Sequence, residues 1–259
     1  MMSNVVQLTR VGPHVAVVTL NRPEACNAID GEMARELERM ADEVEQDASL
    51  WVAVLMGAGD RAFCAGADLK AVASGHVAEL STARGGFAGF VRLPRRKLWI
   101  AAVHGAVLAG GLELLLACDF AVASSGSRFG LPEVKRGLVA SEGGLFRLPR
   151  ALPRGLALRM VATGASIDSE VALEHGLITE IVAPDMLRRY AVALASEICQ
   201  NAPLAVRESL AIARDALTQT DAQLETRCRD VLHRLASTAD FREGSLAFVE
   251  RRAPQWIGA

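Results

Sequence analysis

What this sequence of 259 residues lacks narrows its class before any motif is weighed. Its five cysteines (Cys26, Cys64, Cys118, Cys199 and Cys228) form no C-x-x-C and have no histidine at ligand spacing. Neither a disulfide framework nor a metal site is therefore expected, and reduced thiols of this kind indicate a cytoplasmic protein. An excess of one charge is also missing. The 28 Lys and Arg residues nearly balance 30 Asp and Glu, and a formal net charge of −2 gives no strong field for nucleic acid or an anionic membrane. No basic segment followed by an apolar core opens the chain, so no signal peptide is expected. Residues 99–118 are long enough to suggest a membrane span, but His104, Glu113 and the Gly110-Gly111 pair interrupt them. There is no G-x-S-x-G, and His14, His76, His104, His175 and His233 stand without the context of a nucleophile. No repeat suggests a solenoid. What remains is an apolar content of 51% with 22% charged residues, enough for a large buried core.

Along the chain, residues 5–10 and 15–20 are β-rich runs joined by Gly12-Pro13, which predicts a hairpin. Asp30 caps a helix whose apolar positions Met33, Leu37, Met40 and Val44 recur at helical spacing to about residue 46. Residues 51–56 form a buried strand closed by Gly57-Ala58-Gly59. A loop with Gly66 then leads into a helix start at Asp68, which is read as an N-cap. The Ala67 N–H ahead of it either faces a site or belongs to a plain capped turn, and spacing alone favours the turn. Residues 76–90 are rich in glycine and weakly periodic, suggesting a mobile helix or lid. Arg92, Arg95, Arg96 and Lys97 form a basic cluster of the kind usually found on a solvated surface. After the central stretch come a strand at 120–123, helices at 156–163 and 169–175, and a short strand at 179–182. From Pro184 the pattern becomes helical, at 187–201, 204–217 and 221–236, which suggests a helical appendage that buries its apolar stripe against another subunit.

The chain is organised around residues 100–119. They begin as a buried strand, and a helix starts at Gly110-Gly111. The first turn of a helix leaves N–H groups unpartnered, and these favour an anionic oxygen in front of them. Glu113 lies one turn in, among Leu112, Leu114, Leu115, Leu116 and Ala117, where a carboxylate is costly to bury unless it is hydrogen-bonded or used. By itself Glu113 is better read as a solvent-facing or first-turn carboxylate. Glu133 follows a proline in Phe129-Gly130-Leu131-Pro132-Glu133, so its backbone entry is stiff.

Four segments taken together resemble the crotonase (enoyl-CoA hydratase/isomerase) superfamily. They are Leu20-Asn21-Arg22-Pro23 with Asn27-Ala28; Phe63-Cys64-Ala65-Gly66-Ala67-Asp68-Leu69; Val103-His104-Gly105 through Gly110-Gly111-Leu112-Glu113 to Cys118-Asp119; and Phe129 through Glu133. The likeness continues through residues 172–178 to a tail at 241–256 and so covers nearly the whole chain.

The resemblance implies an α/β fold of crotonase-like ββα-spiral type over residues 1–183, with a helical region at 184–259 that assembles trimers or hexamers. It implies an acyl-CoA thioester as substrate, with coenzyme A carried by the substrate and no separate cofactor or metal. It further implies that the N–H groups of Ala67 and Gly110 form an oxyanion hole for the thioester carbonyl. Glu113 and Glu133, 20 residues apart as in the hydratases, would be the catalytic acids, Glu113 activating water and Glu133 donating a proton to Cα. By the same resemblance Asp68, Leu69 and Lys70 lie against the substrate, and Phe248 and Arg251 reach the nucleotide end of CoA, partly from a neighbouring subunit. The sequence departs from many hydratases at Leu131 and at Ala140-Ser141-Glu142, where added polar groups favour a polar acyl chain. The ending from Leu246 to Trp256 looks like that of the carnitinyl-CoA dehydratases. Enoyl-CoA hydration is the expected activity. Dehydration of a carnitinyl-type thioester, double-bond isomerisation, and a non-catalytic CoA- or RNA-binding role on the same fold are the alternatives.

Overall fold

The computed structural model describes residues 4–259. The hairpin of Val6–Val11 and Val15–Leu20 pairs antiparallel, with Leu8 opposite Val18, and starts a six-stranded sheet. Val52–Gly57, Leu98–Val103, Phe120–Ser124 and Glu180–Val182 then add in order, each parallel to its neighbour. Leu98–Val103 is buried along its whole length, as a continuous apolar run in a parallel sheet requires.

Each long strand is followed by a short strand in a second sheet and then by a helix or 3₁₀ turn, so the chain winds as a ββα spiral. The short strands are Ala62–Cys64, Ala106–Leu108 and Arg128–Gly130, with Ser166–Asp168 closing that sheet antiparallel. Ile29 starts the series by bridging to Ala67 in parallel. The helices of the successive turns are Gly31–Gln46, Leu69–Ala73 and Gly110–Ala117. Asp30 accepts from the Met33 N–H at 2.9 Å, so the predicted cap is made. The strand Ala106–Leu108 has no signal of its own in the sequence, because three residues are too few to display a period of two.

One core lies between the spiral's helices and the main sheet, around Leu20, Ile29, Met33, Phe63, Trp99 and Leu112. The opposite face of the sheet is covered by the helix Leu187–Ile198, whose Leu187, Ala191 and Ala195 pack on Val15, Val17 and Ile100. Beyond it, Pro203–Asp215 and Asp221–Leu235 each bury a single residue fully. Arg214 ties the first of these to the sheet through two bonds to the Asp119 carboxylate, at 2.7 and 2.8 Å.

Two expectations are corrected. Residues 76–90 form no long helix: a 3₁₀ turn at Val77–Leu80 leads into a small hairpin of Ser81–Thr82 and Gly86–Phe87, and Phe87, Ala88 and Phe90 are buried. Weak periodicity here reflects a tight hairpin. The basic cluster is not simply a solvated face either. Arg95 is held over the Phe90 ring at 3.8 Å and donates to the carbonyls of Phe90 and Ala117. Lys97 is buried and donates to the carbonyls of Val44 and Asp47, where the helix Gly31–Gln46 ends. A helix leaves its last carbonyls unpartnered, and a buried ammonium satisfies two of them.

Candidate active site

A cavity of about 910 Å³ opens where the short strands run into their helices. Ala67 and Gly110 both line it. Ala67 sits in the parallel bridge to Ile29: the Ile29 N–H donates to the Gly66 carbonyl and the Asp68 N–H donates to the Ile29 carbonyl, both at 2.8 Å. In such a bridge the flanking residues make the bonds, so the N–H of Ala67 itself points away from Ile29.

Gly110 opens the helix Gly110–Ala117, behind Ala109 at φ 52°, a conformation rare for a residue with a Cβ. Ala109 is held there by its N–H on the Gly130 carbonyl at 2.9 Å. Among the described residues, neither the Ala67 N–H nor the Gly110 N–H has an acceptor within the protein. The two loops touch: a Cβ added to Gly66, at φ 96°, would lie 2.7 Å from the Ala109 Cβ and 3.0 Å from the Gly110 nitrogen. A Cβ on Gly110 would lie 2.3 Å from the Phe87 ring. Glycine is therefore demanded there by an aromatic side chain of the hairpin, a contact with no local signal around Gly110.

Glu113 also lines the cavity and is 3% exposed. Its Oε1 accepts from the N–H groups of Glu142 and Gly144, at 2.8 and 2.9 Å. Burial pushes its pKa up to about 7, and the neighbouring charges of Glu133 and Glu142 add to this, while the two amides act against it. Glu133 lines the same cavity from the 3₁₀ turn Pro132–Arg136. Burial raises its pKa as well, and its buried Oε2 has no hydrogen-bond partner among the described residues. An unsatisfied buried carboxyl oxygen is expensive to keep, and such groups concentrate where a ligand supplies the missing partner.

Asp68, Leu69 and Lys70 lie on the cavity wall, with Asp68 Oδ1 accepting from the Lys70 N–H at 3.0 Å. Phe248 and Arg251 are not among the residues lining this chain's cavity; Phe248 is 86% exposed in the last helix, Ala239–Glu250. Sequence reasoning missed Phe87, Arg136, Leu138 and Val139 as wall residues, and it quoted Arg22 without giving it a role. Ser141 and Glu142 do line the cavity. Glu142 Oε2 accepts from Arg92 at 3.1 Å and from the Phe87 N–H at 3.4 Å, linking the glutamate loop to the hairpin. Among the described residues, no three His, Cys, Asp or Glu side chains are placed to hold a metal ion, and no helix is long and apolar enough to cross a membrane.

The enoyl-CoA hydratase/isomerase family model matches residues 11–259. The chain is 41% identical to an (E)-benzylidenesuccinyl-CoA hydratase of Thauera aromatica, over 96% of this chain and 98% of that protein. It is 38% identical to carnitinyl-CoA dehydratase of Escherichia coli K12, over 99% and 100%. Among solved structures, an enoyl-CoA hydratase of Mycobacterium tuberculosis superposes with a TM-score of 0.94 at 39% identity, covering 99% of this chain and 100% of that one. Two main-chain amides, the buried Glu113 and the half-buried Glu133 thus share one cavity in a chain that belongs to the enoyl-CoA hydratase/isomerase family, the crotonase superfamily.

Proposed function

We propose that the protein is an enoyl-CoA hydratase-type hydro-lyase that adds water reversibly across the 2,3 double bond of an acyl-CoA thioester. The observation that carries this is the pair Glu113 and Glu133 in one cavity beside the free amides of Ala67 and Gly110. Those amides hold the thioester carbonyl and stabilise the negative charge that develops on its oxygen, a contribution of roughly 10² to 10³ in rate per donor. Glu113 takes a proton from water as the oxygen bonds to Cβ, and the double-bond electrons move toward the carbonyl to form the enolate. Glu133 then delivers its proton to Cα, the carbonyl reforms, and once Glu113 gives up its proton to solvent and Glu133 regains one the balance is one water added; dehydration runs the same steps backwards.

The division of labour follows from the surroundings. Two N–H donors on Glu113 favour its anion, the form a base needs, against the burial that lifts its pKa to about 7, whereas the Glu133 carboxyl has its own backbone N–H and, among the described residues, no partner on Oε2. Coenzyme A arrives as part of the substrate, and Lys70, Asp68 and Leu69, which line the cavity, are assigned to its binding. Phe248 and Arg251 reach the nucleotide end of a thioester only across a subunit boundary, in a trimer or hexamer built by the helices after residue 184, and the enzyme works in the cytoplasm. Ser141 and Glu142 on the wall favour a polar acyl group, and relatives named as carnitinyl-CoA dehydratases make that variant of the reaction the second reading.

The test is a panel of plain enoyl-CoA and crotonobetainyl-CoA thioesters, followed by loss of the conjugated thioester absorbance. Glu133→Gln lowers turnover by about 10³-fold or more while thioester binding persists. An unchanged rate in that variant would remove the mechanism.

A further inference from the structure

Arg22 has a place on the cavity wall that the reaction above does not use. Both terminal nitrogens of its guanidinium are held by the protein. Nη1 donates to the Ala28 carbonyl at 2.7 Å and pairs with Asp30 at 2.9 Å, and Nη2 pairs with Asp68 at 3.1 Å. Its own N–H donates to Asn27 Oδ1 at 2.9 Å, and Asn27 in turn donates to the carbonyls of Ala58 and Ala62. These contacts enclose a short path. Asp30 caps the long helix, Asp68 caps the short one, and Ile29 between them makes the two bonds that bracket Ala67.

We propose that Arg22 is a positioning residue: by clamping Asp30 and Asp68 it fixes the bridge between Ile29 and Ala67, and with it the direction of the Ala67 N–H. Two observations separate this from the alternative that Arg22 binds a CoA phosphate. Its charge is already offset by two carboxylates, so the trio carries a net negative charge that repels phosphate. Its two terminal nitrogens also already face fixed partners, and planar guanidinium geometry makes such a brace stiffer than an ammonium would. The Ala67 amide needs that stiffness, because oxyanion stabilisation depends on donors already aimed when charge develops and falls steeply with sub-ångström misplacement.

The inference rests on the acyl-CoA assignment above, so its test has a readout independent of turnover. A saturated butyryl-CoA labelled at the thioester carbonyl is bound to the protein and its C=O stretch is recorded by difference infrared spectroscopy. In the unaltered protein the stretch moves to lower frequency than in free butyryl-CoA. In Arg22→Met it returns most of the way, kcat for hydration falls about 10- to 100-fold, and the Kd for butyryl-CoA changes less than about threefold. Arg22→Lys recovers part of both effects. Asp68→Asn retains a capping oxygen but loses the ion pair; it tests the same clamp if Arg22→Met does not fold, and it shifts the stretch in the same direction. A Kd weakened about tenfold or more with the stretch unmoved assigns Arg22 to CoA binding and overturns the proposal, as does a stretch and kcat unchanged in either variant. An unaltered protein that binds butyryl-CoA, shifts its carbonyl and yet hydrates nothing would instead overturn the hydratase assignment.

Discussion

Glu113 is ordered by opposing forces, and their balance predicts its behaviour with pH. Its pKa of about 7 lies above the usual carboxylate range because burial outweighs the two amide bonds. In the proposed role of base it must be ionised, so kcat/KM is expected to fall as the pH drops below about 7. A pH–rate profile checks this. Stability runs the other way. The folded state holds its Glu113 proton up to a higher pH than the unfolded chain does, so this group's contribution falls as pH rises from the ordinary carboxylate pKa through about 7. Glu113→Gln, which keeps an acceptor for both amides, is accordingly more stable than the unaltered protein at pH 8, by at most about 3 kcal/mol, and the gap closes in mild acid. Paired thermal melts at the two pH values measure it. A lone carboxylate in an apolar run marked Glu113 only as a position to watch, and its role became legible through the family resemblance. Its amide donors, 29 and 31 residues further along, were not, because nothing local marks which loop returns to meet it.

Among the elements, adjacent glycines at one helix start separate two kinds of crowding. A Cβ on Gly111 would lie 2.0 Å from the backbone oxygen of Cys64, whereas on Gly110 it meets the Phe87 ring. Backbone in a paired strand cannot step aside, but a side chain can turn. Gly111→Ala therefore costs about 3 kcal/mol or more, and Gly110→Ala about 1 kcal/mol with a larger loss of turnover; urea unfolding beside a rate assay distinguishes them. Lys97 gives a second case. Burial lowers its pKa to about 8, so its desolvation cost is largest below that pH and eases as pH rises toward the ordinary lysine value. It nonetheless joins the sheet to a helix end through two carbonyls. Lys97→Met leaves those carbonyls unpartnered and lowers stability at pH 7 by about 1–3 kcal/mol, read from the urea midpoint. Its sequence neighbours suggested a solvated cluster because charge in a short window reports composition, while burial is decided by a helix some 50 residues earlier.

For the whole molecule, the last helices leave apolar side chains uncovered, including Leu232, Leu246, Phe248 and Val249. An exposed patch of this kind is usually an interface. Sedimentation equilibrium is expected to give three or six copies, and Phe248→Glu with Val249→Glu to give smaller species; a monomeric unaltered protein would end the assembly proposal. The sequence by itself determined the local elements and their order: the capped helix after Asp30, the buried strand ahead of Gly110, the hairpin at the start, and the family through four spaced segments. Those features are written in periodicity, caps and turns, which act over a few residues. Only the tertiary structure decided that Phe87 crowds Gly110, that Arg22 reaches Asp68, and that the loop at 142–144 supplies the amides on Glu113. Each of those contacts joins residues more than twenty positions apart, and their approach is fixed by how successive turns of the spiral stack, a property of packed layers that no single segment carries.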